Sequence, residues 1–320
     1  MTDLTRPVTL ADILGARARI ADRVHRAPTC ASQALSQRLG IPVFLKVESL
    51  QKTGSFKPRG ATNAVRQLGP DERARGVVTF SAGNHAQALA YAAAAEGVRC
   101  TVVMPATAVA SKVEACRAYG AEVVLQGTPH EAMAHFETLQ RSRNLVPIHP
   151  FDHPHVIAGQ GTVALEITED VPDAAMIVVP VGGGGLIGGM ATALRGLGAA
   201  VRIVGVETTG SNAMRAALAA GRPVALDRIA SIADGLGAPA VTTRTLDIVR
   251  QYVDDVVEVT DDAVIDAMRF SMERLKLVLE PAGAAGLAAA LGGEIGRPVG
   301  RTVIVLSGGN VDLARLKAWL

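Results

Sequence analysis

The sequence predicts an α/β protein built from two lobes that face each other across a cleft. The chain has 320 residues, which is enough for two such lobes. Short β-branched runs alternate with Ala-rich stretches, a pattern that predicts parallel strands joined by crossover helices. Several glycine clusters follow apolar runs directly, at positions where a backbone can approach a ligand closely. We therefore expect open, twisted parallel sheets flanked by helices, with a ligand in the cleft.

The pattern also places individual elements along the chain. Apolar β-branched runs predict strands at residues 43–48, 77–80, 101–105, 122–126, 176–181, 201–207, 255–260 and 302–306. Helices are predicted at residues 84–96, 110–119, 131–142, 155–169, 186–197 and 261–276. Residues 75–149 contain a strand–helix alternation of their own. We expect them to form a small substrate-binding domain inserted into a large domain of residues 1–74 and 150–320.

Composition argues against several classes of partner. The formal net charge is +2 and no basic run stands out, whereas nucleic-acid-binding proteins normally carry a basic patch. Long apolar stretches are interrupted by Gly, Pro or charges, and the first residues lack a signal-peptide pattern. Cys30, Cys100 and Cys116 are widely spaced, which suits reduced thiols. We expect a cytoplasmic protein without nucleic-acid or membrane partners, and no added regulatory domain before Leu320.

The first segment that indicates chemistry surrounds Lys57. Pro58 suits the first turn of a helix, and Gly54 and Gly60 relax the backbone on either side. A lysine at a helix N-terminus feels the positive end of the helix dipole, which disfavours its ammonium form. A neutral amine is what covalent attachment to an aldehyde requires. The alternative is an ordinary surface lysine beside a turn.

The second segment, Ser81-Ala82-Gly83-Asn84-His85, lies between a predicted strand and an Ala-rich helix. Backbone N–H groups at that helix start, together with Ser81, could hold a carboxylate. Asn84 could donate a hydrogen bond to a cofactor hydroxyl. The alternative is that Ser81 or Asn84 only caps the helix.

The third segment is the run Gly182–Gly185, which follows an apolar strand and opens a helix. Consecutive glycines at a helix N-terminus favour phosphate binding by backbone N–H groups. A dinucleotide is an equally good ligand for this loop, because Gly183, Gly185 and Gly188 match G-x-G-x-x-G and Glu207 ends the next strand. The loop alone does not decide between the two.

The fourth segment, Ser307-Gly308-Gly309-Asn310, follows the last predicted strand. A hydroxyl and glycines at the carboxyl end of a parallel strand suit a ligand site. The alternative is a helix cap before Val311.

Taken together and in this order, these segments resemble the fold-type II pyridoxal 5′-phosphate (PLP) enzymes, which share the tryptophan synthase β-like fold, and within them the threonine/serine dehydratase and serine racemase group. The similarity extends along essentially the whole chain. It is carried by Ser55-Phe56-Lys57, Ser81-Ala82-Gly83-Asn84-His85, His149-Pro150, Ile157-Ala158-Gly159-Gln160-Gly161-Thr162, Gly182–Gly185, Ile232-Ala233-Asp234-Gly235, Leu279-Glu280-Pro281 and Ser307-Gly308-Gly309-Asn310.

The resemblance implies a role for each matching residue. Lys57 is implied to bind the cofactor as a Schiff base and to remove the Cα proton of the substrate. The implied cofactor-binding residues are Phe56, Lys57, Asn84, Gly182, Gly183, Gly184, Gly185, Leu186 and Ser307. The residues implied to hold the substrate carboxylate are Ser81, Gly83, Asn84 and His85. Ser307 would face the pyridine nitrogen, and a neutral hydroxyl there makes the ring a weaker electron sink than an aspartate would.

The implied activity is dehydration and deamination of L-threonine, and of L-serine, to a 2-oxo acid and ammonia, by a homodimer. Serine racemases carry a serine where this chain has Ala82, so efficient racemisation is not expected. Glu207 matches one carboxylate of a racemase-like cation site, but Ala213 stands at the second, and a single carboxylate is a weak candidate for a divalent ion. The alternatives are a serine racemase, a dehydratase for another β-hydroxy amino acid, and, more remotely, a nicotinamide-dependent oxidoreductase.

Overall fold

The computed structural model describes residues 6–297 and 300–319. The ten strands of these ranges are β1 (Thr29–Ala31), β2 (Val43–Val47), β3 (Val77–Phe80), β4 (Cys100–Met104), β5 (Glu122–Leu125), β6 (Val146–Pro147), β7 (Met176–Pro180), β8 (Arg202–Thr208), β9 (Asp255–Val259) and β10 (Thr302–Leu306). The α-helices are α1 (Leu10–Ile20), α2 (Gln33–Leu39), α3 (Lys57–Arg66), α4 (Pro70–Arg75), α5 (Asn84–Ala95), α6 (Ala110–Ala118), α7 (Pro129–Ser142), α8 (Pro154–Asp170), α9 (Gly185–Gly196), α10 (Ala213–Ala220), α11 (Thr243–Tyr252), α12 (Asp261–Phe270), α13 (Pro281–Gly292) and α14 (Leu313–Trp319).

The larger sheet has six strands in the order β1-β2-β10-β7-β8-β9. All its pairings are parallel except that of β1 with β2. Parallel strands present their carboxyl ends at one edge, so the segments that follow β2, β10 and β7 emerge side by side. This brings three segments that are distant in sequence to one edge of the sheet.

Helices cover both faces of the larger sheet. Along β7, Ile177 and Val179 pack into a core with α8 and α9, while Met176 and Val178 pack into a core with α12 and α13. The alternation follows from the two-residue period of a strand, and burial on both faces explains why these strands are apolar throughout.

The smaller sheet has four parallel strands in the order β5-β4-β3-β6. Its strands all fall between Val77 and Pro147. Ala-rich α5 packs against it through Ala86, Leu89 and Ala93, none of which is exposed. The predicted α/β class with parallel sheets is confirmed, whereas the limits of the two domains stay a prediction.

The predicted strands all appear, with ends that differ by one residue at most. One helix prediction is wrong at its end, because α12 stops at Phe270 and a π-helical turn, Ser271–Leu275, follows it. Lys276 then adopts a φ of 59°, a left-handed conformation that no helix can continue through. Within the described ranges, no helix combines the length and apolar character needed to cross a bilayer.

Candidate active site

The lysine segment and the Ser307 segment lie side by side in the structure. The backbone N–H of Phe56 donates to the carbonyl oxygen of Ser307 over 3.1 Å, and the N–H of Gly309 donates to the carbonyl of Gly54 over 2.9 Å. Gly54 has a φ of 74°, which glycine adopts without strain. The first and fourth predicted segments therefore form one wall of a site at the carboxyl ends of β2 and β10.

Lys57 is the first residue of α3, and Pro58 follows it as predicted. Its Nζ donates a hydrogen bond to the carbonyl oxygen of Pro150 over 2.9 Å and lies 5.2 Å from the centre of the Phe56 ring. Burial lowers the pKa of the Lys57 amine to about 8, although the nearby Glu280 charge opposes that change. The amine is thus partly neutral near pH 7, as a nucleophile or base needs to be.

A buried charge cluster fixes the start of α3. Arg59 is 1% exposed, and its guanidinium donates to both oxygens of Glu48 over 2.8 and 2.9 Å. It also donates to both oxygens of Glu166 over 2.7 and 2.8 Å, and Lys46 pairs with Glu166 over 2.7 Å. These two-pronged bonds restrict the first turn of α3 and therefore the lysine two residues before Arg59.

The predicted carboxylate segment opens α5. The N-cap of this helix is Gly83, and no side chain caps it, so the alternative that Ser81 or Asn84 is the cap is wrong. The N–H of Gly83 donates to Ser81 Oγ over 3.3 Å. Because the first N–H groups of a helix have no partner within it, those of Asn84 and His85 can bind an anion.

The His85 side chain is bonded to the backbone of another segment. Its Nε2 lies 3.0 Å from the Ile148 carbonyl oxygen and must carry the proton to bond it. Burial, helped by the positive charge of Lys57, lowers the pKa of His85 to about 3, so the ring is neutral. Its buried Nδ1 has no hydrogen-bond partner among the described residues. His85 can therefore contribute to carboxylate binding through its backbone N–H.

The glycine run links β7 to α9, as predicted. Gly184 is the N-cap of α9 with a φ of 89°. A Cβ atom on Gly183 would lie 2.3 Å from the Phe151 ring, and one on Gly184 would lie 2.7 Å from Met214 Cε. The run is thus free of side chains because its surroundings leave no room for them, and it stands at the N-terminus of α9, where backbone N–H groups favour a phosphate.

The contacts of Glu207 differ from both roles considered from the sequence, which were cation binding and dinucleotide binding. Its two carboxylate oxygens accept the backbone N–H groups of Met214 and Arg215, in the first turn of α10, over 2.9 and 2.8 Å. The carboxylate thereby caps α10, and burial raises its pKa to about 7. In the part of the chain that the structure describes, no group of three or more His, Cys, Asp or Glu residues could hold a metal ion.

Ser307 is 4% exposed, and its Oγ lies 3.5 Å from the Ala282 carbonyl oxygen. That distance is at the outer limit of a hydrogen bond, so the hydroxyl can turn towards a ligand nitrogen. The alternative that this segment caps a helix is wrong, because α14 begins at Leu313 and Asp312 accepts the N–H groups of its first turn.

Two residues of the site were not assigned a role from the sequence. Glu280 is 5% exposed and accepts a hydrogen bond from Asn84 Nδ2. Asn310 Nδ2 donates to Asn84 Oδ1 over 2.8 Å and to the carbonyl oxygen of Thr53 over 2.6 Å. A small pocket lies beside them and is lined also by Lys112 and Asp234.

The comparisons with known proteins agree with this geometry. A family model described as pyridoxal-phosphate dependent enzyme matches residues 20–308. An L-threonine ammonia-lyase of Thermotoga maritima is 43% identical over 307 residues, which cover 96% of this chain and 76% of that protein. The catabolic L-threonine dehydratase of Escherichia coli K12 is 40% identical and covers 97% of this chain and 95% of its own.

A solved structure gives the same result. Maize serine racemase superposes with a TM-score of 0.94 at 39% identity, covering 98% of this chain and 97% of that chain. The relatives therefore carry both activities that the sequence left open, dehydration and racemisation. The nicotinamide alternative is rejected, because the whole-chain match is to one cofactor class and Glu207 is engaged in capping α10.

Proposed function

Because the chain belongs to the family of pyridoxal-phosphate-dependent enzymes, we propose that it dehydrates and deaminates L-threonine, and L-serine, to 2-oxobutanoate or pyruvate and ammonia. The observation that carries the proposal is the desolvated amine of Lys57, which follows the Phe56–Ser307 backbone bond and whose charge acts on His85 in the first turn of α5. A base with a pKa of about 8 is suited to remove a Cα proton near neutral pH.

The residues present fit pyridoxal phosphate. The glycine run is a cradle that any Cβ would obstruct, and it stands at the N-terminus of α9, where phosphate is favoured. Ser307 supplies a buried hydroxyl that is only loosely bonded, and Lys57 supplies a partly neutral amine. We propose that Gly182, Gly183, Gly184, Gly185 and Leu186 hold the phosphate. When bound, the cofactor supplies an electron sink for the electrons of the broken Cα bond.

The other residues of the site orient the substrate and the cofactor. We propose that the N–H groups of Gly83, Asn84 and His85, with the Ser81 hydroxyl, hold the substrate carboxylate. Phe56 would pack against the cofactor ring, and Asn84 would donate to its hydroxyl.

Lys57 then acts twice in our proposal. It would hold the cofactor, and as a free amine it would take the Cα proton of the substrate and pass it to the departing β-hydroxyl. The β-hydroxyl leaves as water, and the released enamine hydrolyses to a 2-oxo acid and ammonia. Ser307, a neutral partner for the ring nitrogen, favours prompt loss of the β-substituent over a long-lived carbanion.

Serine racemisation is the second candidate, supported by the maize neighbour. It needs an acid on the face of the substrate opposite Lys57, and the resemblance places Ala82 there. Alanine has no proton to transfer, so we propose that racemisation is a minor activity of this chain.

We also propose three properties of the whole protein. The first is that residues 75–149 form the inserted small domain, since the smaller sheet lies within them. The second is a cytoplasmic location, supported by three cysteines that are all free, two of them buried. The third is a homodimer, as the resemblance implies.

The deciding experiment is a panel of amino acids incubated with the cofactor-loaded enzyme, followed by chromatography of the 2-oxo acids and of the amino-acid enantiomers. We expect 2-oxobutanoate from L-threonine, pyruvate from L-serine, and little D-serine. D-serine output that rivals pyruvate output would move the assignment to a racemase. Release of a 2-oxo acid only from an acidic or bulkier β-hydroxy amino acid would move it to another dehydratase.

A further inference from the structure

The side chain of Asn84 is held at both ends by residues from the opposite wall of the cleft. Asn310 donates to its oxygen, and Glu280 accepts from its nitrogen. Asn310 donates its other N–H to the Thr53 carbonyl oxygen, so two acceptors orient its own amide. The chain of bonds therefore allows one orientation of the Asn84 amide, with Oδ1 towards Asn310 and Nδ2 towards Glu280.

Gly308 is part of the same arrangement. A Cβ atom on this residue would lie 2.1 Å from Glu280 Oε1 and 3.2 Å from Asn84 Nδ2. The backbone of Glu280 is tied to the same residue, since its N–H donates to the Gly308 carbonyl over 3.2 Å. The absence of a side chain at residue 308 thus lets the Glu280 carboxyl reach Asn84.

We propose that Glu280 and Asn310 are positioning residues that fix the amide of Asn84, so that its second N–H is presented to the ring hydroxyl of the cofactor. The inference rests on the cofactor role that we propose for Asn84. A carboxamide has two N–H donors, and Glu280 uses one of them. A reversed amide would present an oxygen instead, which can accept a hydrogen bond from the hydroxyl but cannot donate one.

The charge at Glu280 bears on the same contact. Burial raises the pKa of Glu280 to about 7, and the charge of Asp234 acts in the same direction. The charges of Lys112 and Lys57 and the hydrogen bond from Asn84 lower this pKa. The titratable groups that face this carboxyl are therefore Lys112, Asp234 and Lys57. An ionised Glu280 accepts a stronger hydrogen bond from Asn84 than a protonated one does, which strengthens the hold on the amide as pH rises.

The test compares two single variants with the double variant. Asn310→Asp keeps the side-chain shape but can only accept, so it repels Asn84 Oδ1 and favours the reversed amide. Glu280→Gln alone can still accept from Asn84 and keeps the native orientation. In the double variant, the new amide at residue 280 can donate to a reversed Asn84, which restores hydrogen bonds without restoring the orientation.

The measurements are the thermal midpoint of unfolding, the pH titration of the visible absorbance of the bound cofactor without substrate, and kcat/KM. We expect Asn310→Asp to alter the titration and to lower kcat/KM by about 10²-fold, the usual effect of a misplaced binding group. Glu280→Gln should lower kcat/KM by less than about 10-fold. The double variant should regain thermal stability relative to Asn310→Asp while its absorbance titration and kcat/KM stay altered.

A merely structural role would give a different result. If the double variant recovers kcat/KM together with stability, or if neither single variant changes the titration, the proposal is wrong. The matched control is Glu207→Gln, which neutralises another buried glutamate whose pKa is also about 7 but which caps α10. It should leave the absorbance titration unchanged.

Gly308→Ala provides an independent variant in case Asn310→Asp does not fold. It removes no polar group but pushes the Glu280 carboxyl away from Asn84, which releases the nitrogen end of the amide, so it should also alter the titration. An unaltered titration in folded Gly308→Ala enzyme would overturn the proposal. Because the titration needs no substrate, it distinguishes this inference from the proposed activity, which fails separately if the wild-type enzyme releases no 2-oxo acid.

Discussion

The lowered pKa of Lys57 predicts how fast the cofactor-free enzyme captures pyridoxal phosphate at each pH. Only a neutral amine attacks the aldehyde. With a pKa of about 8, about 10% of the amine is neutral at pH 7, against about 0.03% for an ordinary lysine. Capture at pH 7 should therefore be on the order of 10²-fold faster than for a solvated lysine amine of equal intrinsic reactivity.

The assay measures the rate of capture from the rise of visible absorbance after mixing. This rate is divided by the rate at which a simple alkylamine reacts with the free cofactor at the same pH. The ratio of the two rates cancels the effect of titration of the cofactor itself. For the enzyme alone, the neutral fraction rises tenfold per pH unit below the pKa and then levels near pH 8. A simple amine keeps rising to about pH 10.5, so the ratio should fall above pH 8. A ratio that stays constant to pH 10 would refute the reasoning, because the Lys57 amine would then titrate like a solvated one.

Two variants show that the capture belongs to Lys57. Lys57→Ala should give no lysine-bound absorbance after dialysis while keeping its fold. Lys52→Ala, five residues earlier, should behave as the wild type. Lys46 is an unsuitable attachment point, because its Nζ already donates to the Ala27 carbonyl over 2.6 Å and pairs with Glu166. Absorbance that survives dialysis of Lys57→Ala would assign the cofactor to another lysine.

Three further predictions follow from single contacts. Ser307→Asp should protonate the ring nitrogen and slow elimination relative to transamination; an unchanged rate and product ratio would show that Ser307 does not face that nitrogen. Arg59→Met leaves Glu48 and Glu166 buried without their main partner, so it should lower the free energy of unfolding in urea by about 3–5 kcal/mol. The control Arg17→Ala breaks an exposed pair with Glu169 and should lower it by about 0–1 kcal/mol. Ala82→Ser should raise D-serine output measured by chiral chromatography, and no rise would mean that the new hydroxyl does not reach Cα.

The strands were predictable because each is a short apolar run that parallel packing buries on both faces. Helix α13 was missed for the opposite reason. Every residue of Pro281–Ala290 is buried, so the helix has no polar face and shows no amphipathic period. The end of α12 was also missed, because the left-handed conformation of Lys276 has no local signal in a residue type that rarely adopts it.

The four ligand segments could be found in the sequence because each combines glycines or a helix start with polar groups. The contacts between these segments could not be predicted from the sequence. Asn84 and Glu280 are 196 residues apart, and Arg59 and Glu166 are 107 residues apart. Neither pair has a sequence spacing that a helix or strand would impose, so only the folded chain shows that Glu280 supports Asn84 and that Arg59 anchors the lysine helix.

Glycine occurs in the site for two different physical reasons that the sequence does not distinguish. Gly184 has a φ of 89°, so a side chain there strains the backbone as well as meeting Met214. Gly308 is not among the residues with positive φ in the described ranges, and its requirement is space for the Glu280 carboxyl. An alanine at residue 184 should therefore disturb the start of α9 and the phosphate cradle, whereas an alanine at residue 308 should act on Asn84. The two glycine requirements thus differ in kind, because backbone conformation sets the one at Gly184 and a neighbouring side chain sets the one at Gly308.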